Sequence, residues 1–178
     1  MNSGDVEWVV RKAGAIIAAC GFVAGLGVFA ASFFGLTLDR MGMKQLLVLH
    51  GGILVLAVAL STIEKPKLTW PRWSRRGELE REMPRPVAWG LTIFFGFFIV
   101  IFLTFLILGH ASAPEIRDGN YVLNDHGRIV RWISEAEYLR LKGWELRLFA
   151  SCWTCCYYIF VTYFWFPRKE ETPWSVDP

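Results

Sequence analysis

The residues with the greatest capacity for chemistry are four cysteines and three histidines, and most of them lie in apolar sequence. Cys152, Cys155 and Cys156 follow one another within a single long apolar stretch. The C-x-x-C spacing of Cys152 and Cys155 is typical of thiol redox sites. Buried cysteines also serve as small apolar side chains without any reactivity. The pattern therefore leaves open both a redox pair at Cys152 and Cys155 and simple helix packing.

The histidines offer a second kind of chemistry. His50 lies in another apolar stretch, and His110 ends a third one. A histidine at membrane depth is costly unless it faces protein or water, so His50 is a functional candidate. Imidazole binds haem iron and other metals, which makes His50 and His110 candidate haem or metal ligands. The alternative is that His50 bonds a backbone carbonyl. His126 lies in the turn sequence Asn124-Asp-His-Gly127, which turn chemistry already explains.

Composition indicates the elements that must position these groups. The chain of 178 residues is 54% hydrophobic and only 20% charged, with a mean hydropathy of +0.36. Its apolar residues form four blocks, at 13–38, 45–63, 87–109 and 146–166, each close to the ~20 residues that cross a bilayer. The first block is too long for a signal peptide and ends without a clear cleavage site. The predicted fold is an all-α integral membrane protein with four transmembrane helices.

The four-span outline and the Cys152-Trp-Thr-Cys155 motif resemble the vitamin K epoxide reductase and bacterial disulfide-forming quinone reductase families. The resemblance covers only that outline and the two cysteines. It implies quinone and thiol chemistry, with a second cysteine pair in an outer loop to relay electrons. The predicted outer loop of this chain has no cysteine, so the relay pair is missing.

Two polar segments connect the later spans. Residues 64–86 form a basic linker, and residues 110–145 are predicted to form a small β-hairpin followed by a helical stalk. We expect the hairpin at 118–133, with a type I turn over Asn124-Asp-His-Gly127. Ser134-Glu-Ala-Glu137 is a capping box that begins a helix. Without a proline before Pro167, this helix is expected to continue into the fourth span, with Gly143 as its weak point.

Small residues predict how the helices pack. Gly21 and Gly25 have the spacing that allows close approach of a second helix. Ser151, Cys155, Tyr158 and Thr162 share one helical face of the fourth span, and such a face favours protein contacts over lipid. The third span is almost purely aliphatic and aromatic, and we expect it to face mainly lipid.

The distribution of positive charge predicts the orientation. With four spans, the N-terminus, the 64–86 linker and the C-terminus share one side, which carries 11 of the 19 lysines and arginines. The other side carries 8. Positive residues favour the cytoplasm, so we expect both termini inside and residues 110–145 in the periplasm of a bacterial inner membrane.

Several functions lose support from the sequence. The four apolar blocks contain no aspartate or glutamate, which coupled transporters normally need inside the membrane. No nucleophile with an adjacent base and no phosphate-binding glycine loop is present, and no basic block suggests nucleic acid. We therefore expect a non-enzymatic accessory protein without a cofactor, embedded in lipid and docking a membrane or periplasmic protein or a second copy of itself. The candidate partner-binding residues are aromatic and arginine side chains of the outer segment: Tyr121, Arg128, Arg131, Trp132 and Tyr138. The alternative is that the aromatic residues of this segment cover one another or pack on the protein's own bundle or on the lipid surface.

Overall fold

The computed structural model describes residues 3–63, 84–109 and 112–166. The helices are α1 (Ser3–Ala31), a 3-10 turn (Ser32–Phe34), α2 (Leu38–Met41), α3 (Met43–Ile63), α4 (Arg85–Gly109) and α5 (Glu135–Trp165). Between α4 and α5 lie three strands, β1 (Ala113–Arg117), β2 (Asn120–Asp125) and β3 (Arg128–Trp132).

Four of the helices are long and apolar enough to cross a membrane, as predicted. The first begins well before residue 13 and ends earlier than residue 38. The Ser32 hydroxyl donates to the Phe29 carbonyl, and Gly35 adopts a φ of 88°, so the chain turns there. Residues 36–38 therefore belong to the connection that leads to α3.

Helix α5 is the centre of the bundle and runs antiparallel to α1. Glycines of α1 face large or branched residues of α5: Gly14 lies against Phe164, Gly21 against Tyr157 and Gly25 against Thr154. A Cβ on Gly25 would lie only 2.7 Å from the Thr154 Oγ1. The small residues of the first span thus bring two backbones together within the bundle, as their spacing indicates.

Two adjacent tyrosines of α5 connect the remaining helices. The buried Tyr157 hydroxyl donates to the Leu49 carbonyl of α3 at 2.7 Å. The Tyr158 hydroxyl donates to the Val87 carbonyl of α4 at 3.0 Å, and its ring lies 4.8 Å from that of Phe94. These two bonds satisfy hydroxyl groups that would be costly in hydrocarbon if they had no partner.

The polar segment forms a three-stranded antiparallel sheet in the order β1-β2-β3, where the sequence predicted only a two-stranded hairpin. The turn between β2 and β3 is also different from the predicted type I turn. His126 and Gly127 both have positive φ, which is the type I′ geometry of two-residue hairpin loops. Asp118 and Gly119 form an equivalent turn between β1 and β2.

The start of α5 has the predicted cap. Ser134 accepts a hydrogen bond from the Glu137 backbone N–H, but the Glu137 carboxylate binds Arg131 and does not return to the cap. The helix continues through Gly143 without a break and reaches Trp165. Its first turns, from Glu135 to Glu145, are called the stalk below.

Candidate functional site

The connection between α1 and α3 is fixed to the stalk through Tyr138. Its hydroxyl donates to the Asp39 carboxylate at 2.6 Å, and the tyrosine side chain is buried. Lys142, one turn further along the stalk, lies 3.6 Å from the other Asp39 oxygen and 2.9 Å from Glu145. The Asp39 carboxylate therefore has both a hydroxyl donor and a cation in fixed positions.

A second contact is made further along α5, at Arg147. The Arg147 guanidinium donates to the hydroxyl and to the carbonyl of Ser32, at 3.2 and 3.3 Å. Its plane also lies against two rings, 4.4 Å from the Phe33 centroid and 4.7 Å from that of Trp144. These cation–π contacts and hydrogen bonds replace a carboxylate partner. They bind the end of α1 to the base of the stalk.

The sheet packs on the stalk through its own small core. Val122 and Leu123 of β2 are fully buried, as is Leu141 of α5. The Tyr121 ring lies 4.9 Å from the Tyr138 ring. These residues do not belong to the core cluster of the bundle, so the sheet has a separate packing unit.

An ion pair near the C-terminal end of β3 also holds the sheet on the stalk. Both terminal nitrogens of Arg131 donate to the Glu137 carboxylate in a bidentate pair. The hydrogen bond to Glu137 raises the pKa of Arg131 above its ordinary value. Such fork-like pairs fix direction as well as distance, so β3 and the stalk are oriented relative to each other.

The far edge of the sheet is apolar and exposed. Val130 is 54% exposed and Trp132 is 60% exposed, and both belong to strand β3. Leu123 pairs with Arg131 and Asn124 with Ile129, so Val130 is the additional residue of a β-bulge. Bulges re-aim side chains at sheet edges. We call Val130 and Trp132 the β3 patch.

The five predicted partner-binding residues are therefore divided between two roles. Tyr138, Tyr121 and Arg131 make the contacts that hold the sheet, and Tyr138 is buried. Arg128 and Trp132 are exposed and make none of these contacts.

Three of the four cysteines lie on α5, Cys20 lies on α1, and His50 lies on α3. Within α5, Cys152 and Cys156 lie about one helical turn apart, and Cys155 is buried. The His50 Nδ1 lies 3.0 Å from the Leu46 carbonyl, and its Nε2 accepts from the Trp153 indole N–H at 3.4 Å. Both nitrogens of the ring are thus engaged within the protein, in agreement with the backbone-bonded alternative.

His110, the other predicted haem ligand, lies outside the described residues. In the part of the chain that the structure describes, no group of three or more histidine, cysteine or acidic side chains could hold a metal ion.

Asp39, Arg147 and Tyr157 organise the fold but were not among the residues predicted from the sequence. The sequence could have indicated Asp39 and Arg147, because each is a charged residue at the edge of an apolar block. Tyr157 had no such signal, since its partner is a backbone carbonyl that no side-chain pattern identifies.

No protein-family model, no curated protein and no solved structure matches this chain.

Proposed function

We propose that this chain is a non-enzymatic accessory protein of a bacterial inner membrane that presents its sheet to a protein partner on the periplasmic side. The observation that carries the proposal is the exposure of Val130 and Trp132 on an edge strand that pairs only with β2 among the described residues. In this proposal the N- and C-termini are cytoplasmic, as the charge distribution favours.

The rigidity of the mount supports a docking role. The Tyr138–Asp39 hydrogen bond and the bidentate Arg131–Glu137 pair hold the sheet on a helix that continues into the bundle. A surface that is already ordered loses little conformational entropy on binding. The β3 patch is therefore suited to binding a partner without reorganisation.

The chemistry of the patch also favours a protein partner. Strand β3 pairs with β2 on one side, and the described residues provide no strand on its other side. Apolar edge strands are normally covered or blocked by charge, and tryptophan is a frequent anchor of protein interfaces. A partner could both cover Trp132 and pair with the edge of β3.

The alternative of a redox protein has weaker support. Cys152 and Cys155 are both free thiols, and the two nitrogens of His50 are already engaged. Those contacts account for the polar groups of this face without a quinone or haem.

A matched pair of variants tests the proposal. Val130→Ser with Trp132→Ser should abolish co-purification of the partner at unchanged expression, because it removes the apolar surface of the patch. Ile116→Ser is the control, since Ile116 is also 54% exposed but lies on β1 at the opposite edge. Equal co-purification by all three proteins would contradict docking at β3.

A further inference from the structure

An open groove lies between α1 and α3, next to the connection that joins them. It has a volume of about 620 Å³, within the ~300–1,000 Å³ of typical ligand sites. Its walls are apolar and include Ala24 and Val28 of α1 and Val48 and Leu49 of α3. Val48 is 72% exposed, so the groove opens sideways from the bundle.

Two cations lie at one end of this groove, Arg40 and Lys44. Neither forms an ion pair with any residue within 3–63, 84–109 or 112–166. The neighbouring carboxylate, Asp39, is already engaged by Tyr138 and Lys142. The positive end of the groove therefore has no counter-ion among the described residues.

The guanidinium of Arg40 is nevertheless held in place. It donates one hydrogen bond to the Gly35 carbonyl at 3.3 Å, which leaves its other N–H groups free to bind an anion. Lys44 begins the apolar part of α3, the candidate span Lys44–Ser61. Both charges thus lie where a membrane-crossing helix meets the lipid headgroups.

The distance from the charges to the apolar wall fits a lipid. Lys44 and Val48 are one helical turn apart, ~5–6 Å along the axis. If an anionic group binds Lys44, the rest of the same molecule would therefore lie directly against apolar surface. A soluble anion would leave that surface unused, whereas a phospholipid has an acyl chain to cover it.

We propose that this groove binds a phospholipid with an anionic headgroup, whose headgroup contacts Arg40 and Lys44 and whose acyl chain lies along Val48 and Ala24. The site is separate from the β3 patch and does not depend on a protein partner.

The test compares lipids that differ only in headgroup charge. Delipidated protein in detergent is titrated with phosphatidylglycerol or phosphatidylcholine of identical chains, and bound lipid is counted by native mass spectrometry. We expect the wild-type protein to retain phosphatidylglycerol preferentially. Lys44→Gln should weaken that binding about fivefold, and Arg40→Gln with Lys44→Gln about 25-fold, because each surface cation contributes about fivefold.

The control removes the same charge elsewhere. Arg117→Gln with Arg128→Gln acts on the sheet and should leave phosphatidylglycerol binding unchanged. If the Arg40 variant fails to fold, Lys44→Gln alone still decides the question, because its side chain makes no hydrogen bond or ion pair with the described residues.

Four outcomes would overturn the proposal. Binding that is equal for both lipids, or equally reduced by the sheet variant, would mean nonspecific attraction. Displacement of the lipid by glycerol phosphate at equal concentration would assign the cations to a soluble anion. A protein dimer that dissociates on the Lys44 substitution would assign the groove to a second copy of the chain.

Discussion

At the scale of single residues, two polar contacts bring distant parts of the chain together. Tyr138 and Asp39 are 99 positions apart, and Arg147 and Ser32 are 115 apart. Both contacts connect α5 to the short segment that follows α1. The buried Tyr138 side chain needs an internal partner because burial of an unpaired hydroxyl is costly. The two contacts therefore determine how the stalk leaves the bundle.

Replacing Tyr138 by phenylalanine should lower the stability of the detergent-solubilised protein by about 1 kcal/mol. The substitution removes a hydrogen bond to a carboxylate, and Asp39 is half exposed, so water replaces part of the interaction. The apparent melting temperature measures the effect.

Tyr121→Phe is the control for that substitution. The Tyr121 hydroxyl has no hydrogen-bond partner among the described residues, although its ring packs on Tyr138. Its removal should leave the melting temperature within error. An equal decrease for both variants would show that the Asp39 contact contributes nothing specific.

At the scale of elements, the α1–α5 contact depends on glycines placed opposite large side chains. A Cβ on Gly21 would overlap the ring of Tyr157, whereas a Cβ on Gly27 would meet nothing within 4 Å. Both glycines lie inside α1, so a comparison of the two positions reports the difference in packing.

Gly21→Ala should therefore destabilise the protein by about 1–3 kcal/mol through overpacking. Gly27→Ala should be neutral or slightly stabilising, since alanine is the better helix former. Thermal unfolding in detergent compares the two. A similar effect of both changes would mean that α1 has no preferred face toward α5.

The sequence predicted the helices better than the sheet, and the reason is physical. Apolar blocks of membrane length and the Ser134 cap are local signals, so α1, α3, α4 and α5 were expected. Strand β1 was missed because it contains Pro114, Glu115 and Arg117 and has no alternating apolar pattern. The Asp118-Gly119 turn was a readable signal for it.

The candidate site could be predicted only in part. Tyr121, Arg131 and Tyr138 have the residue types of interface anchors, but their use inside the protein depends on where Asp39 and Glu137 lie. Asp39 is 99 positions from Tyr138, so only the folded chain brings the two side chains together. The exposure of Val130 likewise depends on a β-bulge that the sequence does not reveal.

At the scale of the whole molecule, the sheet and the bundle have separate cores. Replacing residues 113–132 by a Gly/Ser linker of equal length should leave a folded four-helix protein, because the bundle cluster contains none of these residues. Size-exclusion chromatography and helix content would establish this. Aggregation of the shortened protein would mean that the sheet is needed for folding of the bundle.

The orientation is tested by accessibility of single cysteines in a variant without the four native ones. A membrane-impermeant thiol reagent should label a cysteine at Asn120, in β2, from outside intact cells. A cysteine at Arg76, a linker position outside the described residues, should react only after permeabilisation. The reverse pattern would place the sheet in the cytoplasm.

The most direct test of docking at the β3 patch is photo-crosslinking in intact cells. A photoreactive amino acid replaces Trp132 in one protein and Ile116 in another, since both side chains are exposed but belong to opposite edges of the sheet. We expect one discrete protein adduct from position 132 and none from position 116. Adducts with lipid alone at position 132, or the same adduct from both positions, would contradict the proposed function.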